Sequence, residues 1–423
     1  MRRFVQMVTL TTLCVLGAAA CGATPDTSPP APAAASDVQS SKEVLSVCSW
    51  WTAPGEAEAL GALIDGYRSS AGGARVTLAT DVTAGTWSKV YDEKLGAGLW
   101  DVFQLSAADL ATVHKAHPTW LATTDEAYGD AAFASAIIPE ARTAVTVDGH
   151  AYGVATGIHR NNAFLFNKQL LAAHRVTAPT TIAELLVACE TLKTAGVTPV
   201  ATTFRPWTLR IMFDDILEGT LGARAFGDFV AGRTALTDPA LQSGIRSAID
   251  TFGKILTDYI DVPTSAAETY DWTDAAETLH AGKAAMFFHG DWAKGYLIQL
   301  GWTPDVEFGV SGPPGASSVF IYGVDMFGAP ASAPHPALSQ AFLAFVGSKA
   351  GQVAFNSHKG STPIRTDVRD LLDPVTKASL DDLVHAELRI PSHANETWTT
   401  AIGAFAKDGD KEALFQVYRT TPP

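Results

Sequence analysis

Two domains of doubly wound α/β type is the architecture the sequence predicts, on three observations. Apolar runs such as Val44, Leu45 and Val47 alternate with stretches of helical spacing such as Leu60, Leu63, Ile64 and Tyr67, the pattern of a doubly wound α/β fold. About 380 residues follow an N-terminal leader and tether, room for two domains of ~100–200 residues each. The polar run Thr156-Gly157-Ile158-His159-Arg160-Asn161-Asn162 interrupts an apolar extended segment. That is awkward in a core strand and natural where a chain crosses between domains.

Met1 to Ala20 has the three parts of a secretory signal: Arg2-Arg3, an apolar run, and Leu16-Gly17-Ala18-Ala19-Ala20 before Cys21. The last part resembles a lipobox, which implies cleavage before Cys21 and lipid on its sulfur and amino group; plain secretion is the alternative. Residues 21–42, rich in Ala, Pro, Ser and Thr, have almost nothing to bury and read as a disordered tether. The formal net charge is −14, and −16 once the leader's two arginines are gone, which argues against nucleic acid as a partner. No second apolar run is long enough to span a bilayer, so only the N-terminal lipid would hold the protein to a membrane. With Cys14 removed and Cys21 lipidated, Cys48 and Cys189 remain. In an exported protein they could pair, but their places in different domains favour two buried thiols. No Cys or His cluster has metal-ligand spacing, and neither metal nor cofactor is expected.

The first strand, with the apolar run Val44, Leu45 and Val47, is expected to carry Trp50-Trp51 at its carboxyl end and to open through the Pro54-Gly55 break into a helix whose first turn holds Glu56, where the helix dipole favours an anion. In a strand the two rings point opposite ways, so one can be core while the other faces a cleft; two core tryptophans is the alternative. Strands are expected at 74–79 and 101–105, with helices around 87–95 and from Ala107. Gln104 sits near a strand end, within reach of the same cleft as Trp51 or equally placed to cap the next helix. Residues 143–154 read as a hairpin on Asp148-Gly149. A second α/β series follows: a strand at 163–167, helices at 168–174 and 181–195, a strand at 198–202, and a helix opened by Arg205-Pro206-Trp207. Then come Trp272 before a helical run, a buried strand at 284–288, and Gly290-Asp291-Trp292, which repeats the opening arrangement of strand, aromatic and carboxylate. An extended piece at 319–322 runs into Gly323-Val324-Asp325. Helices close the chain, with Trp398 as their apolar anchor.

The residues at strand ends and turns are Trp51, Glu56, Gln104, Trp207, Trp272, Asp291, Trp292, Asp325 and Lys359. Flat rings with carboxylates, an amide and one ammonium suit a sugar, whose C–H faces pack on Trp while its hydroxyls donate to carboxylates and accept from Lys. His159 alone is more often a structural histidine than a ligand.

The lipobox, Trp50-Trp51 with Gly55-Glu56, Gly282-Lys283-Ala284-Ala285-Met286 with Gly290-Asp291-Trp292, and Phe355-Asn356 with Lys359-Gly360-Ser361-Thr362-Pro363-Ile364-Arg365 together resemble the carbohydrate solute-binding proteins of ABC importers, of the glucose/mannose type. The resemblance implies a periplasmic-binding-protein-like fold crossed three times, near 157–162, 322–325 and 361–365. Lobe 1 would comprise 43–157 and 323–364, and lobe 2 158–322 and 365–423. The sugar-stacking rings would be Trp51, Trp272 and Trp292, and the hydroxyl-binding residues Glu56, Asp325 and Lys359, with Gln104, His159, Trp207 and Asp291 as further candidates. Asp325 and Lys359 are expected side by side. The resemblance further implies a monomer on the outer face of the membrane that delivers a small carbohydrate to ABC permease subunits. Two other classes remain: a glycosidase using paired carboxylates, against which the matching Lys359 argues, and an adhesion module, which would leave the strand-end polar residues unexplained.

Overall fold

Leu45, Val47 and Cys48 are fully buried on β1 (Val44–Cys48), which lies between β2 (Arg75–Ala79) and β3 (Val102–Ser106) and runs parallel to both. A central parallel strand needs apolar residues on both faces, because helices cover each side. The structure is a computed structural model and describes residues 44–79, 100–262, 269–392 and 395–423. The expected leader, tether and Cys21, and the expected helix around 87–95, lie outside the described residues. Helix Glu56–Arg68 buries Leu60, Leu63, Ile64 and Tyr67, the face its spacing predicts. Helix Ala107–Ala116 opens on a reciprocal cap: Ser106 Oγ accepts from Asp109 N, and the Asp109 carboxylate accepts from Ser106 N.

The predicted hairpin is smaller than expected. β4 (Thr146–Val147) and β5 (His150–Ala151) pair around Asp148 (φ 50°) and Gly149 (φ 85°), the positive angles of a type I′ turn, while 143–144 end the helix Pro139–Ala144. β6 (Val154–Arg160) is buried along its whole length. In the second lobe β7 (Ala163–Asn167), β8 (Thr198–Ala201), β9 (Ala284–His289) and β10 (Phe308–Ser311) form a sheet in the order β10-β7-β9-β8. Its faces alternate: Phe164, Met286 and Phe288 enter one apolar cluster, Ala163, Leu165 and Phe287 another.

β11 (Val319–Gly328) joins the lobes. The piece expected at 319–322 is the first part of a continuous strand of 10 residues, paired with β12 (Leu388–Pro391), β3 and β6. Val319 and Ile321 belong to the second lobe's core, Val324, Met326 and Phe327 to the first. Among the described residues the chain passes between the cores at three places. Two of them lie between Ile158 and Phe164 and between Ile321 and Val324. The third is not at the expected place. Residues 361–365 stay in the first lobe, because Ile364 N donates to Gln352 Oε1 (2.9 Å), Ile138 N donates to Ile364 O (2.8 Å), and Ile158 and Thr362 exchange backbone bonds. Leu380 and Leu383 still belong to the first core, and only Leu388 and Trp398 return the chain to the second. The segment 365–423, expected wholly in lobe 2, is therefore divided. Cys48 and Cys189 are buried thiols. Burial, helped by the Glu190 charge, pushes the Cys189 thiol up to about 12.

Candidate functional site

Two helix ends meet where the lobes approach. Gly55 adopts φ 85° and lies so close to the Gly295 backbone that a Cβ would collide with it; only glycine fits. The next residue, Glu56, opens its helix, and Lys359 closes helix Lys349–Lys359. Each charge therefore stands at the helix end its dipole favours. Lys359 Nζ donates to Glu56 Oε1 at 2.7 Å, with side-chain exposures of 2% for the lysine and 18% for the glutamate. The ammonium also lies 5.6 Å from the Trp51 ring centroid.

His159, on β6, stands between two carboxylates. Its Nδ1 is 2.7 Å from Asp291 Oδ1 and its Nε2 3.4 Å from Asp325 Oδ2. Burial and the Lys359 charge disfavour the imidazolium, but Asp291 and Asp325 outweigh them, and the pKa is raised. Asp291 is engaged on its other oxygen too, accepting from Arg160 N at 2.7 Å. Asp325 is set by a slip in the β6–β11 ladder that skips Thr156, whose hydroxyl donates to Asp325 O (3.1 Å). The expected Asp325–Lys359 partnership is thus replaced by two separate pairs, Lys359 with Glu56 and Asp325 with His159.

These groups open onto a cavity of about 510 Å³ between the lobes. Of the residues picked from the sequence, Trp51, Glu56, His159, Trp292, Asp325 and Lys359 line it. Gln104 does not: it is fully buried, and its Oε1 accepts from Ser49 Oγ (2.6 Å) and Trp50 N (3.2 Å), fixing the turn after β1. Asp291 stands behind His159, outside the lining. Trp207 and Trp272 lie to one side, against His289, with ring centroids at 5.3 and 5.5 Å. Trp292 Nε1 donates to His289 Nε2 at 3.0 Å, so this imidazole gathers three of the predicted tryptophans. Burial holds its pKa down to about 3, and it acts as a neutral acceptor.

The tryptophan pair divides differently from expectation. Trp51 reaches the cavity but is 1% exposed and wedged between Phe327 (5.8 Å) and Phe355 (4.8 Å), whereas Trp50, half-buried, shares the lining. Sequence reasoning also missed His289, Asn161 and Tyr322. The last two lie inside the runs marked as crossings, and lining the cleft is what a crossing segment does.

A family model described as "bacterial extracellular solute-binding protein" matches residues 62–382. The chain belongs to this family of bacterial extracellular solute-binding proteins. An "uncharacterized ABC transporter extracellular-binding protein" of Pyrococcus horikoshii is 31% identical over 362 residues, covering 83% of this chain and 79% of that relative. A "probable sugar-binding periplasmic protein" of Brucella melitensis is 30% identical over 392 residues, covering 88% and 86%. Among solved structures, a bacterial solute receptor with a preference for β-D-galactopyranose aligns with TM-score 0.73 at 15% identity, covering 89% of this chain and 96% of that one. A maltose-bound protein of T. maritima aligns with TM-score 0.71 at 16% identity, covering 89% and 98%. The solute-binding fold, two α/β lobes about a cleft, is shared with both. These relatives are solute-binding proteins and not enzymes, and the glycosidase alternative finds no support among them.

Proposed function

We propose that this chain captures a small carbohydrate on the outer face of the cell membrane and delivers it to the permease of an ABC importer. The observation that carries the reading is the cavity itself, where Trp50 and Trp292 supply flat apolar faces beside Glu56, Asp325 and Lys359. Each of these charges has a protein counter-charge, so the polar groups are aimed before any ligand arrives and cost little to organise when hydroxyls replace water. Asp325 and Glu56 accept from hydroxyls, and Lys359 donates. The relatives support the ligand class: besides the Brucella protein, a protein of Haloferax volcanii named as xylose/arabinose-binding is 30% identical over 257 residues, 57% of this chain and 52% of that one. The ligand is a monosaccharide such as glucose or mannose, or a short oligosaccharide. The small residues before Cys21 support a lipid anchor.

A thermal-shift screen of the protein against glucose, mannose, galactose, xylose and their disaccharides tests this reading. A ligand at 100 times its Kd adds about 2.7 kcal/mol of stability. The expected result is a shift with at least one sugar that Asp325→Asn removes. No shift with any sugar, or new reducing ends released from an oligosaccharide, refutes the reading.

A further inference from the structure

A second cavity of about 250 Å³ adjoins the first, and Asn161, Trp292 and Ser392 line both. Trp207 forms part of its wall, on the first turn of helix Pro206–Leu221. This large ring is 41% exposed and lies 6.5 Å from Trp292 with an interplanar angle of 31°. The two rings thus make a tilted apolar floor that continues from the main cavity into the second. Opposing polar groups are also built in. Asp215 lines the chamber at 1% exposure, and its Oδ2 has no hydrogen-bond partner among the described residues. A buried carboxyl oxygen without a partner is costly, so one that gains a ligand hydroxyl gains more than an exposed one would. Burial first, then the charges of Glu218 and Asp214, raise its pKa well above the ordinary carboxylate range, which favours the protonated, donating form. Beside it Arg210 Nε donates to Asp214 Oδ2 at 2.6 Å, a neutralised pair with little net charge to offer an ionic ligand.

We propose that the second chamber holds a further sugar unit, stacked on Trp207 and hydrogen-bonded to Asp215, so that the ligand is a carbohydrate of at least two units with its first unit in the main cavity. The proposal rests on the sugar-binding reading and goes beyond it in ligand length and direction. Arg210, the cation in the chamber's lining, is already paired with Asp214, which disfavours a phosphorylated or acidic second unit, since that would require an uncompensated cation.

Isothermal titration of the whole protein with glucose, mannose, galactose and xylose, and with disaccharides built from each, tests it, in the native chain and in Trp207→Ala. At 41% exposure the ring can be removed without a core cavity, so the variant folds, as its unfolding curve will confirm. At least one disaccharide is expected to bind about tenfold or more tightly than its component monosaccharide. Trp207→Ala should erase that advantage and leave monosaccharide affinity within about twofold, Trp207→Phe should restore part of it, and Asp215→Leu should weaken the disaccharide more than Asp215→Asn, which keeps a neutral donor. Disaccharides that bind no tighter than monosaccharides, or a Trp207→Ala loss equal for both, overturn the two-unit ligand while leaving sugar binding intact. Binding of no sugar at all overturns both.

Discussion

Separating the ion pair at the meeting of the two helix ends should give unequal losses, and the inequality follows from burial. Glu56→Gln takes the counter-charge from the ammonium of Lys359, which at 2% exposure is little screened by water, so roughly 3–5 kcal/mol of stability should go in the ligand-free protein. Lys359→Met keeps an apolar stem against Trp51 and leaves Glu56, 18% exposed and able to take up water, so the loss should be smaller, about 1–3 kcal/mol. At 2.7 Å and an effective dielectric of about 20 the gross attraction is roughly 6 kcal/mol, most of which desolvation offsets. The double variant should therefore lose less than the sum of the singles, with a coupling of ~1–3 kcal/mol. Urea unfolding of all four proteins measures it. Losses that add to within about 0.5 kcal/mol, or a stronger coupling of Lys359 to Asp325 in the parallel cycle, refute the pairing.

Other perturbations test the rest of the site. The raised His159 pKa makes its contribution complete below the ordinary histidine value and lost as pH rises through the folded one; Asp291→Asn should move the NMR titration of His159 downward, and an unmoved titration would deny Asp291 its part. Trp51→Ala should cost ~3–5 kcal/mol of stability and Trp207→Ala no more than about 0.5–1, and equal costs in denaturant unfolding would contradict their burial. Glu218, buried with a carboxyl pKa raised well above the ordinary value by burial first, should destabilise the fold as pH climbs from the ordinary glutamate range through the raised one. Glu218→Gln keeps the acceptor for Asn162 Nδ2 (2.9 Å) and should flatten that decline; an unchanged pH slope counts against it. Cys21→Ala should move the protein from the membrane fraction to the medium, and retention in the membrane would refute the lipid anchor.

What could be read from the sequence was what local pattern controls. Apolar runs marked β1, β7 and β9, and helical spacing marked Glu56–Arg68. The second half of β11 escaped because Gly323, Asp325 and Gly328 break its apolar run, and only pairing with β3 and β6 on its two sides makes it a strand. The third crossing was misplaced because Gln352 and Ile138 hold Ile364, through bonds that no local pattern records. Within the site, Glu56 and Lys359 were legible as charges at helix ends, but their pairing spans 303 positions and was assigned to Asp325 instead. Strand alternation required Trp50 and Trp51 to diverge and was silent on which would be core. Phe327 and Phe355, far along the chain, decide that.

β11 bears on how such a protein can be inherited. Val319 and Ile321 complete one core and Val324, Met326 and Phe327 the other, while the same backbone carries ladders to β12, β3 and β6. A gene fusion that takes one lobe from this chain and the other from a relative must break twice more, at the other two passages, and must import a β11 matched to both donors. Exchange of whole lobes between family members is therefore disfavoured, and ligand preference should diversify through point changes at the cleft and not through shuffled halves.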